Sequence, residues 1–128
     1  MAQPDLIGIV VRDMEASLRF YALLGLDIPA KMDAEQHVEI TLPNGFRIAW
    51  DSLEMMKSIY PDWVDPVVGQ RMTLAFKCSG PTEVDGLYNR VIQSGYQSYK
   101  APWDAFWGQR YAVVYDPDGN LVDLFAQQ

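Results

Sequence analysis

Two stretches of the chain share one design: Pro43-Asn44-Gly45-Phe46-Arg47-Ile48-Ala49-Trp50 and Pro117-Asp118-Gly119-Asn120-Leu121-Val122-Asp123-Leu124. Each is a Pro-Asx-Gly turn followed by a short apolar strand. Proline suits the second turn position because its φ is already fixed. Glycine supplies the positive φ that the turn needs before the chain reverses. The same punctuation used twice marks an internal repeat.

The elements upstream of each turn repeat in the same order. Ile7 to Val11 reads as a strand, and Asp13 then caps a helix that runs to about Leu24. Met14, Leu18, Tyr21 and Leu24 recur at helical spacing, and Gly25 follows as a stop. In the second half Met72 to Cys78 reads as a strand and Pro81 suits a first helical turn. Val84, Leu87, Tyr88, Val91 and Ile92 make the apolar stripe that Gly95 ends. Alternation predicts further strands at Asp27–Met32, His37–Leu42 and Phe46–Asp51, then at Gln97–Ala101, Arg110–Tyr115 and Leu121–Ala126.

The expected architecture is therefore α+β, with two β-α-β-β-β repeats building a curved, partly open sheet around a central cleft. A single domain spans residues 1–128, with repeat one at about 5–52 and repeat two at about 70–126. Residues 53–69 are a linker or a short helical insertion.

Composition limits the function classes. The chain has 128 residues, 49% hydrophobic and 21% charged, which is globular and long enough to bury a core. A net charge of −7 argues against a nucleic-acid partner, whose phosphates need clustered Lys and Arg. Cys78 is the only cysteine, so a reducing compartment is the default. The first apolar run, Leu6 to Val11, is too short for a signal segment or a membrane span and follows no basic residue. A cytoplasmic protein with no membrane partner, complete at both ends, is expected.

Ile9-Val10-Val11-Arg12-Asp13-Met14-Glu15-Ala16-Ser17, with Phe20-Tyr21 and Leu24-Gly25-Leu26, resembles the first strand and helix of the vicinal oxygen chelate superfamily. That superfamily includes glyoxalase I, extradiol dioxygenases, fosfomycin-resistance enzymes and bleomycin-resistance proteins. Asp116 to Leu124 resembles its last hairpin, so the likeness covers nearly the whole chain. In its metal-dependent members, His, Gln or Glu ligands come from the first and last strands of each half. The matching positions here are Leu6, Ala49, Thr73 and Asp123. Leu and Ala offer no donor atom, Thr is a poor ligand, and one carboxylate cannot replace the set. Neither a metal nor another cofactor is expected. His37, the only histidine, shares a strand face with Glu39 and reads as part of a solvated face.

The segment Ala101-Pro102-Trp103-Asp104-Ala105-Phe106-Trp107-Gly108-Gln109-Arg110-Tyr111 carries three large aromatics in five positions. Its Trp107-Gly108-Gln109-Arg110-Tyr111 part resembles a stretch of the metal-free, drug-binding resistance proteins, the members that the chain looks closest to. Trp faces stack on planar or cationic ligands, and a nearby Asp helps to hold a cation. Alternation adds the rest of a lining: Leu121 and Phe125 with Asp123, Arg47 and Asp51 with Ala49, and Gly8, Arg71 and Ala75 with Leu6 and Thr73. Trp50 then lies on the opposite face as core under a helix.

The expected ligand-binding set is Leu6, Arg47, Ala49, Asp51, Thr73, Trp103, Phe106, Trp107, Arg110, Asp123 and Phe125, with no catalytic residue. The resemblance implies a homodimer. It favours a protein that sequesters an aromatic or cationic antibiotic-like compound. The alternatives are a glyoxalase-like or dioxygenase-like lyase or oxidoreductase with an atypical site, and a structural or regulatory partner whose cleft side chains close.

Overall fold

Asp13 caps the first helix as its place predicts: its side chain accepts the Ala16 N–H at 3.1 Å, and α1 spans Met14–Leu23. The computed structural model describes residues 1, 3–30, 32, 34–65 and 72–128. They divide into two compact units, Met1–Val67 and Val68–Gln128.

In the first unit β1 (Leu6–Val11), β2 (His37–Thr41) and β3 (Arg47–Ser52) form a sheet in the order β1-β3-β2. β1 runs parallel to β3 and β2 antiparallel. Ile48 and Trp50 of β3 share a face with Val38 and Ile40 of β2, and all four are buried. Trp50 meets the Tyr21 ring of α1 at 5.7 Å. The opposite face carries Arg47, Ala49 and Asp51, beside Leu6, Gly8 and Val10 of β1. The strand expected at Asp27–Met32 does not form: Asp27 to Ala30 carry no ladder, and Lys31 lies outside the described residues. Pro29 sits in the middle of that segment, where it removes a ladder N–H and fixes φ away from a regular strand. Leu53–Ile59 is helical (α2), so a helix occupies the start of the expected linker. Residues 66–69 at its end lie outside the described ones.

In the second unit β4 (Leu74–Lys77) leads to α3 (Pro81–Gln93). Strands β5 (Ser98–Asp104), β6 (Gln109–Tyr115) and β7 (Leu121–Gln127) complete a mixed sheet in the order β4-β7-β6-β5. Val84, Leu87 and Val91 of α3 and Ala112, Val114, Val122, Leu124 and Ala126 of the sheet are buried. The unit is the complete β-α-β-β-β repeat. The fold class is α+β with two small, open, mixed sheets.

Both repeat turns have the expected conformation. Gly45 and Gly119 stand at φ of 90° and 88°, a region that other residues enter at a cost. Asp116, 4% exposed, ties down the second turn. Its Oδ1 accepts the backbone N–H groups of Asp118 and Asn120, and its Oδ2 accepts Asn120 Nδ2. No helix among the described residues is long and apolar enough to cross a membrane.

Candidate functional site

Each sheet turns one face to its helix and carries polar or aromatic groups on the other. On the first sheet those groups form a chain of charges. The turn after β2 fixes the register, so His37 stands opposite Asp51 and Glu39 opposite Ala49. His37 Nδ1 lies 2.5 Å from Asp51 Oδ1, and its Nε2 lies 3.2 Å from Glu39 Oε1. Arg47 donates to Glu39 at 2.6 Å and to Asp5 at 2.5 Å. His37 and Glu39 lie on a partly solvated face, as expected, and there they belong to a cross-strand network that single-strand alternation did not reveal. Of the expected set, Leu6, Arg47, Ala49 and Asp51 do share this face.

A neutral imidazole has one N–H, so only the imidazolium donates to both carboxylates. The hydrogen bond to Asp51 raises the His37 pKa above its ordinary 6.5, burial opposes it, and Glu39 adds to the rise. A raised folded-state value stabilises the protein fully below the unfolded value, and this contribution is lost as pH rises through the folded value. With the His37 side chain 42% exposed, solvent screening keeps the effect below about 1 kcal/mol. Urea midpoints are expected to fall as pH rises from the ordinary value of 6.5 through the raised folded value, and His37→Gln is expected to flatten that slope. An unchanged slope in the variant would assign the pH dependence elsewhere.

On the second sheet the face away from α3 is aromatic. Trp103 of β5, Tyr111 of β6 and Phe125 of β7 stand in register across three strands. Trp103 and Tyr111 lie 5.4 Å apart between ring centroids, and Tyr111 and Phe125 stack at 6.1 Å and 25°. Trp107, in the β5–β6 turn, packs edge-on against both Trp103 and Tyr111, and Phe106 packs on Trp107. Phe106 is 97% exposed and Trp107 49%, so the cluster opens to solvent. Trp103 belongs to β5, which runs past the expected end at Ala101 to Asp104 through register shifts around Pro102.

Asp123 lies within this face. Its Oδ2 accepts the Tyr111 hydroxyl at 2.5 Å. Burial chiefly, and then this bond, push the Tyr111 phenol up to about 12, so at neutral pH it is a donor. Thr73, exposed, precedes β4, while Ala75 pairs with Asp123. Arg71 lies outside the described residues. Arg110 does not join the cluster. One residue from Tyr111 on a strand, it points to the helix side, where it donates to Asp85 of α3 at 2.9 and 3.2 Å and to Asp104 at 3.1 Å. Tyr111 was missing from the expected set, although the same period of two places it beside Trp103 and Asp123.

An aromatic-lined sheet built from a β-α-β-β-β repeat, in a chain whose other unit has β-α-β-β order, defines a class of protein. Residues 3–124 match the Glyoxalase family, the Glyoxalase/Bleomycin resistance protein/Dioxygenase superfamily, and the chain belongs to it. It is similar to a glyoxalase/bleomycin resistance protein/dioxygenase family enzyme from Burkholderia phytofirmans PsJN, with 20% identity and a TM-score of 0.85 over 99% of this chain and 100% of that one. A glyoxalase/bleomycin resistance protein/dioxygenase from Nocardioides is 25% identical, with a TM-score of 0.76 over 99% and 84%. A glyoxalase-related enzyme from Fulvimarina pelagi is 24% identical, with a TM-score of 0.81 over 99% and 89%. No curated protein matches the sequence.

The residues at the positions that resemble the superfamily's metal ligands do not fit a metal. Leu6 and Ala49 have no donor atom, and Asp123 already accepts a phenol hydrogen bond. Among the described residues no three His, Cys, Asp or Glu side chains are grouped to hold an ion.

Proposed function

We propose that this chain is a metal-free small-molecule-binding protein, akin to the bleomycin-resistance-like members of its superfamily. Its ligand is an aromatic or cationic compound of antibiotic-like character, which it sequesters. Homodimeric assembly in the cytoplasm is part of the same reading. The observation that carries it is the row Trp103–Tyr111–Phe125, flanked by Trp107 and Phe106 and set around the Asp123 carboxylate. Ring faces and edges open to water favour a flat partner through stacking, and a carboxylate among them adds charge pairing.

Titration with bleomycin, 9-aminoacridine and neutral acridine is expected to quench tryptophan fluorescence saturably. Trp103 and Trp107 are the reporters at the site. No saturable response at micromolar protein across that panel would count decisively against the reading.

The atypical lyase or oxidoreductase reading has one observation in its favour, the His37–Asp51 hydrogen bond at 2.5 Å. A carboxylate on one imidazole nitrogen orients the ring for proton transfer at the other. Here the other nitrogen faces Glu39, so proton transfer to a substrate requires Glu39 to move aside. The aromatic face already exposes Trp107 and Phe106 to solvent, and it is preferred for that reason.

A further inference from the structure

We propose that Lys100 is a built-in competitor for the aromatic face, and that the ligand of this face is a planar organic cation that displaces the lysine. The inference rests on the aromatic face being the binding site and deepens that reading by fixing the sign of the ligand's charge.

Two cross-strand rows make the face. One is Trp103–Tyr111–Phe125 and the other is Lys100–Val113–Asp123. Register partners project to the same side of a sheet, so Lys100 and Asp123 stand on one surface, separated by two inter-strand spacings, about 10 Å, across β6. The lysine does not close that gap to the carboxylate. Its Nζ lies 3.9 Å from the centroid of the Trp103 ring, in a cation–π contact. Asp123 meanwhile gives one oxygen to the Tyr111 hydroxyl.

The protein thus holds its own cation over the tryptophan face and keeps a carboxylate apart from it on the same surface. A rigid planar cation satisfies both groups at once: its ring stacks on Trp103, and its charge lies toward Asp123. A flexible lysine satisfies only the first. Lys100 is exposed on the edge strand β5, so its departure costs little beyond the cation–π contact and returns the ammonium to water. Among the described residues this surface also carries Lys77, opposite Phe125 on β4. An anionic ligand would instead be drawn to the lysines and repelled by Asp123. Trp107 is held for stacking by its own bond, Nε1 to Gln109 Oε1 at 2.8 Å.

The test is calorimetric titration of the whole chain, wild type and Lys100→Gln, with three flat tricyclic probes. These are 9-aminoacridinium (cationic), acridine at mildly alkaline pH (neutral) and anthracene-9-carboxylate (anionic). Lys100→Gln is expected to tighten 9-aminoacridinium binding about two- to five-fold, the scale of an exposed cation–π contact. The neutral probe should change by less, and the anion should weaken. Lys100→Arg restores wild-type behaviour, because guanidinium also occupies the ring face.

Equal tightening of all three probes would mean that Lys100 merely covers the ring, and this overturns the inference. Weaker cation binding in Lys100→Gln overturns it too, while leaving the face a binding site for another ligand class. Absence of saturable binding by any probe to either protein overturns the binding reading and the inference together.

Discussion

Replacing Trp50 by Ala is expected to remove about 3–5 kcal/mol of folding stability, the range for truncating a large buried aromatic. Trp50 has no exposed surface, meets the Tyr21 ring at 5.7 Å, and stands in register between Ile9 and Val38 on the helix-facing side of its sheet. Its neighbours belong to fixed strands and to α1, so the cavity cannot collapse far. A second substitution separates volume from polarity. Trp50 Nε1 is buried with no hydrogen-bond partner among the described residues. Trp50→Phe loses part of the ring but also removes a donor whose unsatisfied burial costs about 1–3 kcal/mol. The Phe variant should therefore lose far less than the Ala variant. Urea unfolding followed by far-ultraviolet circular dichroism measures both without depending on the tryptophan signal. An Ala variant within about 1 kcal/mol of wild type would contradict Trp50 as the keystone of that layer.

The reason Trp50 was legible as core, while other positions were not, lies in how far each depends on the chain alone. The Pro-Asx-Gly turns announced themselves because glycine enters the φ at Gly45 and Gly119 without the cost that other residues bear. Alternation from those turns then separated Trp50 from Ala49 and Asp51. The same alternation should have excluded Arg110 and admitted Tyr111. Within the Trp107–Tyr111 stretch, Arg110 and Tyr111 are neighbours on a strand and so face opposite ways. Arg110 is instead a clamp to Asp85, a partner 25 residues away that becomes visible only when α3 is laid on β6. The His37–Asp51 pair followed from register: a turn that pairs Thr41 with Arg47 leaves His37 opposite Asp51. The failed strand at Asp27–Met32 shows the reverse, a run whose alternation suggested a ladder that Pro29 could not donate to. Pro102, by contrast, is tolerated in β5, an edge strand that shifts register there.

Substituting Asn for Asp123 is expected to weaken 9-aminoacridinium binding about 10- to 100-fold, with neutral acridine changed far less. The argument is one of charge at constant shape. A hydrogen bond to a charged group contributes about 1.5–3 kcal/mol, and each 1.4 kcal/mol is about a factor of ten in affinity. Asn keeps an oxygen for the Tyr111 hydroxyl, whose bond to Oδ2 measures 2.5 Å, so the aromatic row stays in place. Tyr111→Phe is the complementary change. It keeps the carboxylate but frees it to rotate, so the cation should bind less tightly by a smaller factor than in Asp123→Asn. The phenol, pushed up to about 12, stays a donor throughout the neutral range. Wild-type cation binding should therefore hold level across neutral pH, while His37 on the other sheet titrates above its ordinary 6.5. An Asn variant that keeps its affinity for the cation would show that stacking on Trp103 and Trp107 suffices and that Asp123 serves Tyr111 rather than the ligand. Loss of the neutral probe in equal measure would instead point to a collapsed face, which the ring geometry around Tyr111 and Phe125 argues against.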